Sequence, residues 1–428
     1  MRLWSSGFDR PSALNRDPAD ATNCAPNAVI TAPQRTSPGV RQRNTGAEKP
    51  KPGSNKLTGR DVDAAVEARN DCRFLGSPAQ ARCRQRFART LSSSRCAVVI
   101  ALLCSCFVVF APQTAHAAPN YVNLTFYMRN QTPNSAIQRG CELGAVAAGT
   151  PGSQLMHPIL LFGGPRVSGS TMKASNWQHV DYTLAHVQAQ AYGFAQGFFY
   201  CSASSGDVTS TLSLVVASSS DGQMVSGDNV RIHGEQWGSM VNALHTQLRT
   251  QGWGSRAWAL AGTNVEPGFA WNPTQSRLWI NRARNNNSPR PFISNPTAFC
   301  NPEGTYTAAT DCEYVWTAED IASVSYFNST PIIRPIPQIY GSSYVERWYR
   351  LSKCSAGTSR GKFAFRGVMT QWRACQQDPD DSCPTNHPTT GFDALQTKIN
   401  SDAATAFVIP LTMLDVRWAD LSNTGAAP

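Results

Sequence analysis

Two carboxylates stand where a chain read for chemistry would place them. Glu266 lies in Arg256–Trp271, RAWALAGTNVEPGFAW, and Asp415 lies in Leu411–Trp418, LTMLDVRW. Each falls at or just before the end of an apolar run of strand type. Glycoside cleavage needs two carboxyl groups across one sugar bond, about 5 Å apart for retention and about 6.5–9.5 Å for inversion. Glu266 and Asp415 are therefore the candidate acid/base and nucleophile, in either order. A plainer use stands beside this one: Glu266 paired with Arg277, and Asp415 with Arg417 or a helix N-terminus, since ion pairing also perturbs carboxylates.

The groups around them suit a neutral polyol. Asn264, two residues before Glu266, points to the same side in an extended chain. Gln338, Tyr340 and Gln371 also follow apolar runs, and amides and phenols offer both donors and acceptors. Trp271, Trp372 and Trp418 come after strand ends, where an indole can stack on a sugar face or pack into the core. Other chemistries lack their signatures. There is no HExxH, GxSxG, CxxC or EF-hand spacing, so no metal and no cofactor is expected. The acidic run Asp378, Asp380 and Asp381 reads as a solvated loop between Cys375 and Cys383.

To position such groups at one place the chain needs parallel strands whose ends converge. Tyr121–Arg129, Pro158–Arg166, Thr211–Ala217, Arg256–Trp271, Pro291–Phe299, Ile332–Tyr340, Phe363–Gln371 and Leu411–Trp418 read as strands or strand-and-loop segments. Helical spacing appears within Trp177–Phe199, in Glu235–Leu248 and Thr274–Arg284, after the capping box at Thr317, in Ser342–Ser355 and in Gly391–Ala404. Strand and helix alternate about seven times, which implies a largely parallel sheet. The choice lies between an open doubly wound sheet and a (β/α)8-type barrel. About 310 residues after a leader, no GxGxxG or P-loop, and polar residues closing several strands favour the α/β barrel, complete or distorted. The prolines of IIRPIPQIY make that strand unfit for a regular ladder.

The formal charge of +10 belongs to the leader. Residues 1–117 hold 17 basic and 8 acidic residues, and the rest holds 21 and 20. No basic stripe with aromatics remains to follow a phosphate backbone, so nucleic acid is not expected as a partner. Residues 1–90 have the composition of a disordered basic leader. Residues 91–117 combine arginines, the apolar run 96–111 and Ala115-His116-Ala117, the pattern of a secretory signal cut after Ala117. The alternative is a membrane anchor through residues 96–111, although 16 residues fall short of the roughly 20 needed to span a bilayer. Residues 118–428 then form one barrel domain. It holds seven of the 13 cysteines; Cys300/Cys312 and Cys375/Cys383 look like loop staples, and the odd count leaves one thiol over. Oligomeric state has no signal in the sequence. Asn123, Asn130 and Asn328 match the glycosylation triplet, which recurs often by chance.

The segments GTNVEPGFAW, VSYFNS, PIPQIY and GVMTQW resemble those of uncharacterised secreted bacterial proteins. Those are similar to glycoside-hydrolase-like barrels of the lysozyme kind. The likeness covers roughly residues 150–420. It implies a barrel whose strand-end acid, here Glu266, faces a carbohydrate or cell-wall glycan. Active members of such families carry a D-x-E pattern; here Asn264 stands in the place of the aspartate. Two readings follow: a secreted glycoside hydrolase-like barrel, or the same barrel binding carbohydrate or a surface without turnover. A membrane-anchored interaction protein is a third.

Overall fold

The computed structural model describes residues 122–418 apart from 129–131, 177–178, 221–225, 268–270, 288, 299, 301–305, 308, 313, 329–331 and 378–385. The leader, the apolar run 96–111, the acidic run at 378–381 and Cys383 lie outside the described residues.

Eight parallel strands form the sheet that carries the fold: β1 (Asn123–Tyr127), β3 (Ile159–Leu161), β7 (Thr211–Ser219), β8 (Ala257–Asn264), β9 (Phe292–Ser294), β10 (Ile333–Pro335), β11 (Val368–Thr370) and β12 (Met413–Trp418). A two-residue piece, β2 (Leu155–Met156), pairs with the start of β7 and leads into β3. Around the sheet the strands follow chain order, and β12 returns to pair with β1. The ring closes between β10 and β11, where Gln338 bridges to Met369 in parallel register. This is a (β/α)8-type barrel.

The closing seam shows what the prolines do. Pro335 and Pro337 lend carbonyls to the N–H groups of Arg366 and Met369. They have no N–H to give back. On the other side, Ile336 and Gln338 donate to the carbonyls of Ser294 and Pro296. The strand thus keeps its ladder toward β9 and about half of it toward β11. The result is an isolated bridge in place of a regular pair.

Helices cross over the outside: α1 (Pro133–Gly149), α2 (Leu184–Ser204), α3 (Gly227–Thr250), α4 (Pro273–Asn286), α5 (Ala318–Ser325), α6 (Ser342–Ala356), the short α7 (Trp372–Gln377) and α8 (Pro388–Asn400). An antiparallel insert, β4 (Gly164–Ser168), β5 (Thr171–Ser175) and β6 (Asp181–Thr183), sits between β3 and α2. Periodicity did not reveal α1. Its sequence, PNSAIQRGCELGAVAAG, is small and weakly amphipathic, because it packs by close approach. A Cβ on Gly197 of α2 would stand 1.9 Å from the Ile137 carbonyl of α1, and one on Gly140 would stand 1.9 Å from the Phe194 carbonyl. Cys141 and Cys201 bridge the same two helices, and Cys300 pairs with Cys312. Cys375 is also disulfide-bonded.

Two apolar layers result. One fills the barrel, with Ile159, Leu161, Val215, Leu260, Ile293, Ile336, Met369, Leu414 and Val416. The larger lies between sheet and helices and includes Leu124, Phe126, Leu214, Val216, Trp237, Trp279, Val368 and Met413. Each strand alternates between them, so membership of a layer tells which way a residue faces. Asn123 is buried in β1, and its Oδ1 accepts the His157 N–H at 2.6 Å, so the first glycosylation triplet is closed in the folded chain.

Candidate functional site

The carboxyl ends of β8, β9 and β10 deliver a polar cluster to the inside of the barrel. Asn264 is in register with Ser219, continuing the inward series Leu260 and Gly262 opposite Val215 and Ala217. Two residues on, Glu266 is tied by its backbone to the end of β7. Its N–H donates to Ser220 Oγ at 3.0 Å, and that hydroxyl donates to the Glu266 carbonyl at 3.3 Å. The carboxylate faces two amides. Asn264 Nδ2 donates to Glu266 Oε1 at 2.6 Å, and Gln338 Nε2 donates to the same oxygen at 3.1 Å. Gln338 Nε2 also reaches Asn264 Oδ1 at 2.6 Å and the Asn295 carbonyl at 3.1 Å. All four residues are buried, with Glu266 7% exposed.

Phenols complete the mouth. Tyr340, two residues beyond Gln338, shares a hydrogen bond with Tyr127 at the end of β1. Its pKa is raised well above 10, first by burial, then by the nearness of Tyr127, Glu266 and Tyr344. The Tyr340 phenol therefore stays neutral, and both phenols are available as hydrogen-bonding groups.

Asn295 is the member that sequence reading missed. It follows β9 at the next inward position after Ile293. Its side chain is fully buried, and neither Oδ1 nor Nδ2 has a hydrogen-bond partner among the described residues; Gln338 Oε1 is in the same condition. The Ser-Asn-Pro after a short apolar run gave the signal, but it reads equally well as a turn.

Asp415 goes elsewhere. It is in register with Leu124 and Thr370, both on the outer side of the sheet. It accepts from Thr370 Oγ1 at 2.9 Å and from the Arg373 N–H at 3.0 Å, so it caps the short helix α7. The Arg373 guanidinium stands 3.8 Å away. Burial pushes this carboxyl up to about 6, against the lowering effect of those hydrogen bonds and Arg373. The wall of the barrel thus separates it from Glu266, and the expected carboxylate pair does not form. The residues named for the plainer reading of Glu266 are also elsewhere, since Arg277 pairs with Asp320. Arg417 pairs with Glu142.

The tryptophans divide. Trp271 is buried in the outer layer, its ring 5.9 Å from that of Trp279, and is a packing residue. Trp372 is half-buried at the start of α7, edge-on to His387 at 5.0 Å. Trp418 ends β12 in register with Tyr127, at the mouth end. Gln371, half-buried, follows Met369 of the inner layer by one strand repeat. A surface cleft of about 450 Å3 lies far from these groups, on the helical layer between Ile137, Tyr192 and Gln247.

No protein-family model matches the chain, and no curated protein matches it significantly. Among solved structures, a sugar phosphate isomerase/epimerase from Parabacteroides distasonis ATCC 8503 is similar. It shows 10% identity and a TM-score of 0.33, over 73% of this chain and 93% of that one.

Proposed function

We propose that the protein is a carbohydrate-binding barrel whose mouth, around Glu266, holds a neutral sugar. The observation that carries this reading is the buried amide of Asn295, which, like Gln338 Oε1, has no hydrogen-bond partner among the described residues. Leaving a buried donor or acceptor unmade costs about 1–3 kcal/mol. A fold retains that cost where another molecule supplies the missing bonds. The set at hand is a carboxylate, three amides and two phenols, which matches a polyol, whose hydroxyls both donate and accept. Sites of this kind belong at the carboxyl ends of barrel strands.

Glu266 is the fixed acceptor, oriented by Asn264 and Gln338 before any ligand arrives. Among the described residues of the barrel strands and the two positions after each, Asp415 and Glu266 are the carboxylates. With Asp415 on the outer face, two-carboxylate hydrolysis by this pair is not part of the reading. A secreted protein acting at a cell-surface polysaccharide fits the signal-like leader and the disulfides, which persist in oxidising compartments. Among the described residues no helix is long and apolar enough to cross a membrane.

The test is titration calorimetry of the wild type, Asn295→Ala and Glu266→Gln against a panel of neutral oligosaccharides. Saturable binding by the wild type, weakened about tenfold or more in Asn295→Ala, is the expected result, tenfold being about 1.4 kcal/mol. Absence of binding across the panel, or equal binding by wild type and Asn295→Ala, would remove the site from carbohydrate recognition.

A further inference from the structure

The opposite pole of the barrel carries a second set of unsatisfied groups. His157 lies between Met156 of β2 and Pro158, two residues before the inward Ile159. Its ring is fully buried, and neither nitrogen has a hydrogen-bond partner among the described residues. Arg334 of β10 is in register with the inward Ile293. Its guanidinium lies over the Tyr326 ring at 5.5 Å and donates from Nη2 to Asn328 Oδ1 at 3.3 Å, while Nη1 is buried without an acceptor. Arg366, two residues before β11, is held by its backbone to the Pro335 carbonyl at 2.8 Å, and its side chain is exposed.

All three positions belong to the same end of the barrel, and Arg366 lies within electrostatic reach of each of the other two. The charge of Arg366 bears on His157, and that of Arg334 bears on Arg366. Among the described residues neither arginine forms an ion pair with a carboxylate. Like charges are thus gathered at one end of the barrel, the same end as a buried imidazole without a hydrogen-bond partner among the described residues. The cost of burial without partners falls on Arg334 Nη1 and the His157 ring.

We propose that this pole is an anion-binding site that takes a small oxyanion of the phosphate type, held by Arg334 and Arg366 with a His157 ring N–H as third donor. Planar guanidinium groups match the oxygens of phosphate and form charge-assisted bonds. The imidazole is neutral, pushed down to about 3 by burial and then by Arg366. It still presents one N–H. An oxyanion beside it would favour the imidazolium and move its titration upward. The site is separate from the mouth and does not depend on the carbohydrate reading.

The experiment uses the full-length protein, with inorganic phosphate, phenyl phosphate and chloride as probes. Calorimetry gives affinity, and imidazole 1H–15N spectra of His157 report the site. Phosphate is expected to saturate at one equivalent and to shift the His157 ring signals. Arg366→Gln, a change at an exposed side chain, is expected to weaken binding about tenfold or more, and Arg334→Gln likewise. Binding of phenyl phosphate too assigns the site to a phosphomonoester, and its exclusion assigns it to the free ion; either supports the proposal. Non-saturating binding, binding equal to that of chloride, affinity unchanged in Arg366→Gln, or unmoved His157 signals would each overturn it.

Discussion

Replacing Asp415 by asparagine should change how stability depends on pH, by an amount that the structure sets. The carboxyl is fully buried, and burial raises it from 3.8 to about 6. Between those values the folded chain holds a proton that the unfolded chain has lost. The stabilising contribution is therefore complete only well below 3.8 and is lost as pH rises through 6. The gap is worth about 3 kcal/mol. Buried histidines work the other way. His157 and His233 are pushed down to about 3 and about 4, chiefly by burial, so they stabilise above 6.5 and lose that contribution as pH falls. Wild type and Asp415→Asn share these histidines, so subtracting one profile from the other isolates Asp415. Urea unfolding at pH 4, 5, 6 and 7 gives the difference. The stability of Asp415→Asn relative to wild type should climb by about 2.4 kcal/mol from pH 4 to pH 7. A difference that stays constant over that range would refute the burial argument and reopen the placement of Asp415.

Other outcomes follow from the same structure. Gly197→Ala puts a methyl group into the α1–α2 contact and should cost about 2–3 kcal/mol in urea unfolding, with Gly149→Ala, which meets open space, as the quiet control. Cys201→Ser opens a 60-residue loop and should cost about 4 kcal/mol, read as a lower midpoint in thermal unfolding. Asn295→Ala should leave stability unchanged or raise it, since it deletes an amide whose bonds are unmade; a loss above 1 kcal/mol, as an order of magnitude for a broken bond, would mark Asn295 as structural.

Much of the barrel was legible because its strands and helices differ in period. The segments Thr211–Ala217 and Leu411–Trp418 announced β7 and β12 within a few residues, and Glu235–Leu248 announced α3 except for its first two turns, Gly227–Gly234. The capping box at Thr317 placed α5. Elements stabilised by close backbone contact left no such trace, and α1 is the example. The face of a strand was also hidden. In β12 both Leu414 and Met413 are apolar, since a barrel strand is buried on its two sides. Alternation around Asp415 therefore could not tell the lumen from the helical layer. Beyond the strand ends this ambiguity is weaker: Asn264, Glu266 and Gln338 share a network because successive strands of a closed sheet bring their tips together. Asn295 stayed unseen because its distinguishing property, a buried amide without partners among the described residues, exists only in the folded chain.

The central claim is that the mouth around Glu266 recognises sugar hydroxyls. Side-chain amide 1H–15N spectra of the protein, recorded during titration with the oligosaccharide that binds most tightly, test it most directly. The account predicts that the Asn295, Gln338 and Asn264 amide signals move together and saturate with the calorimetric affinity. Amide signals that stay fixed while sugar binds would place recognition elsewhere and contradict the account.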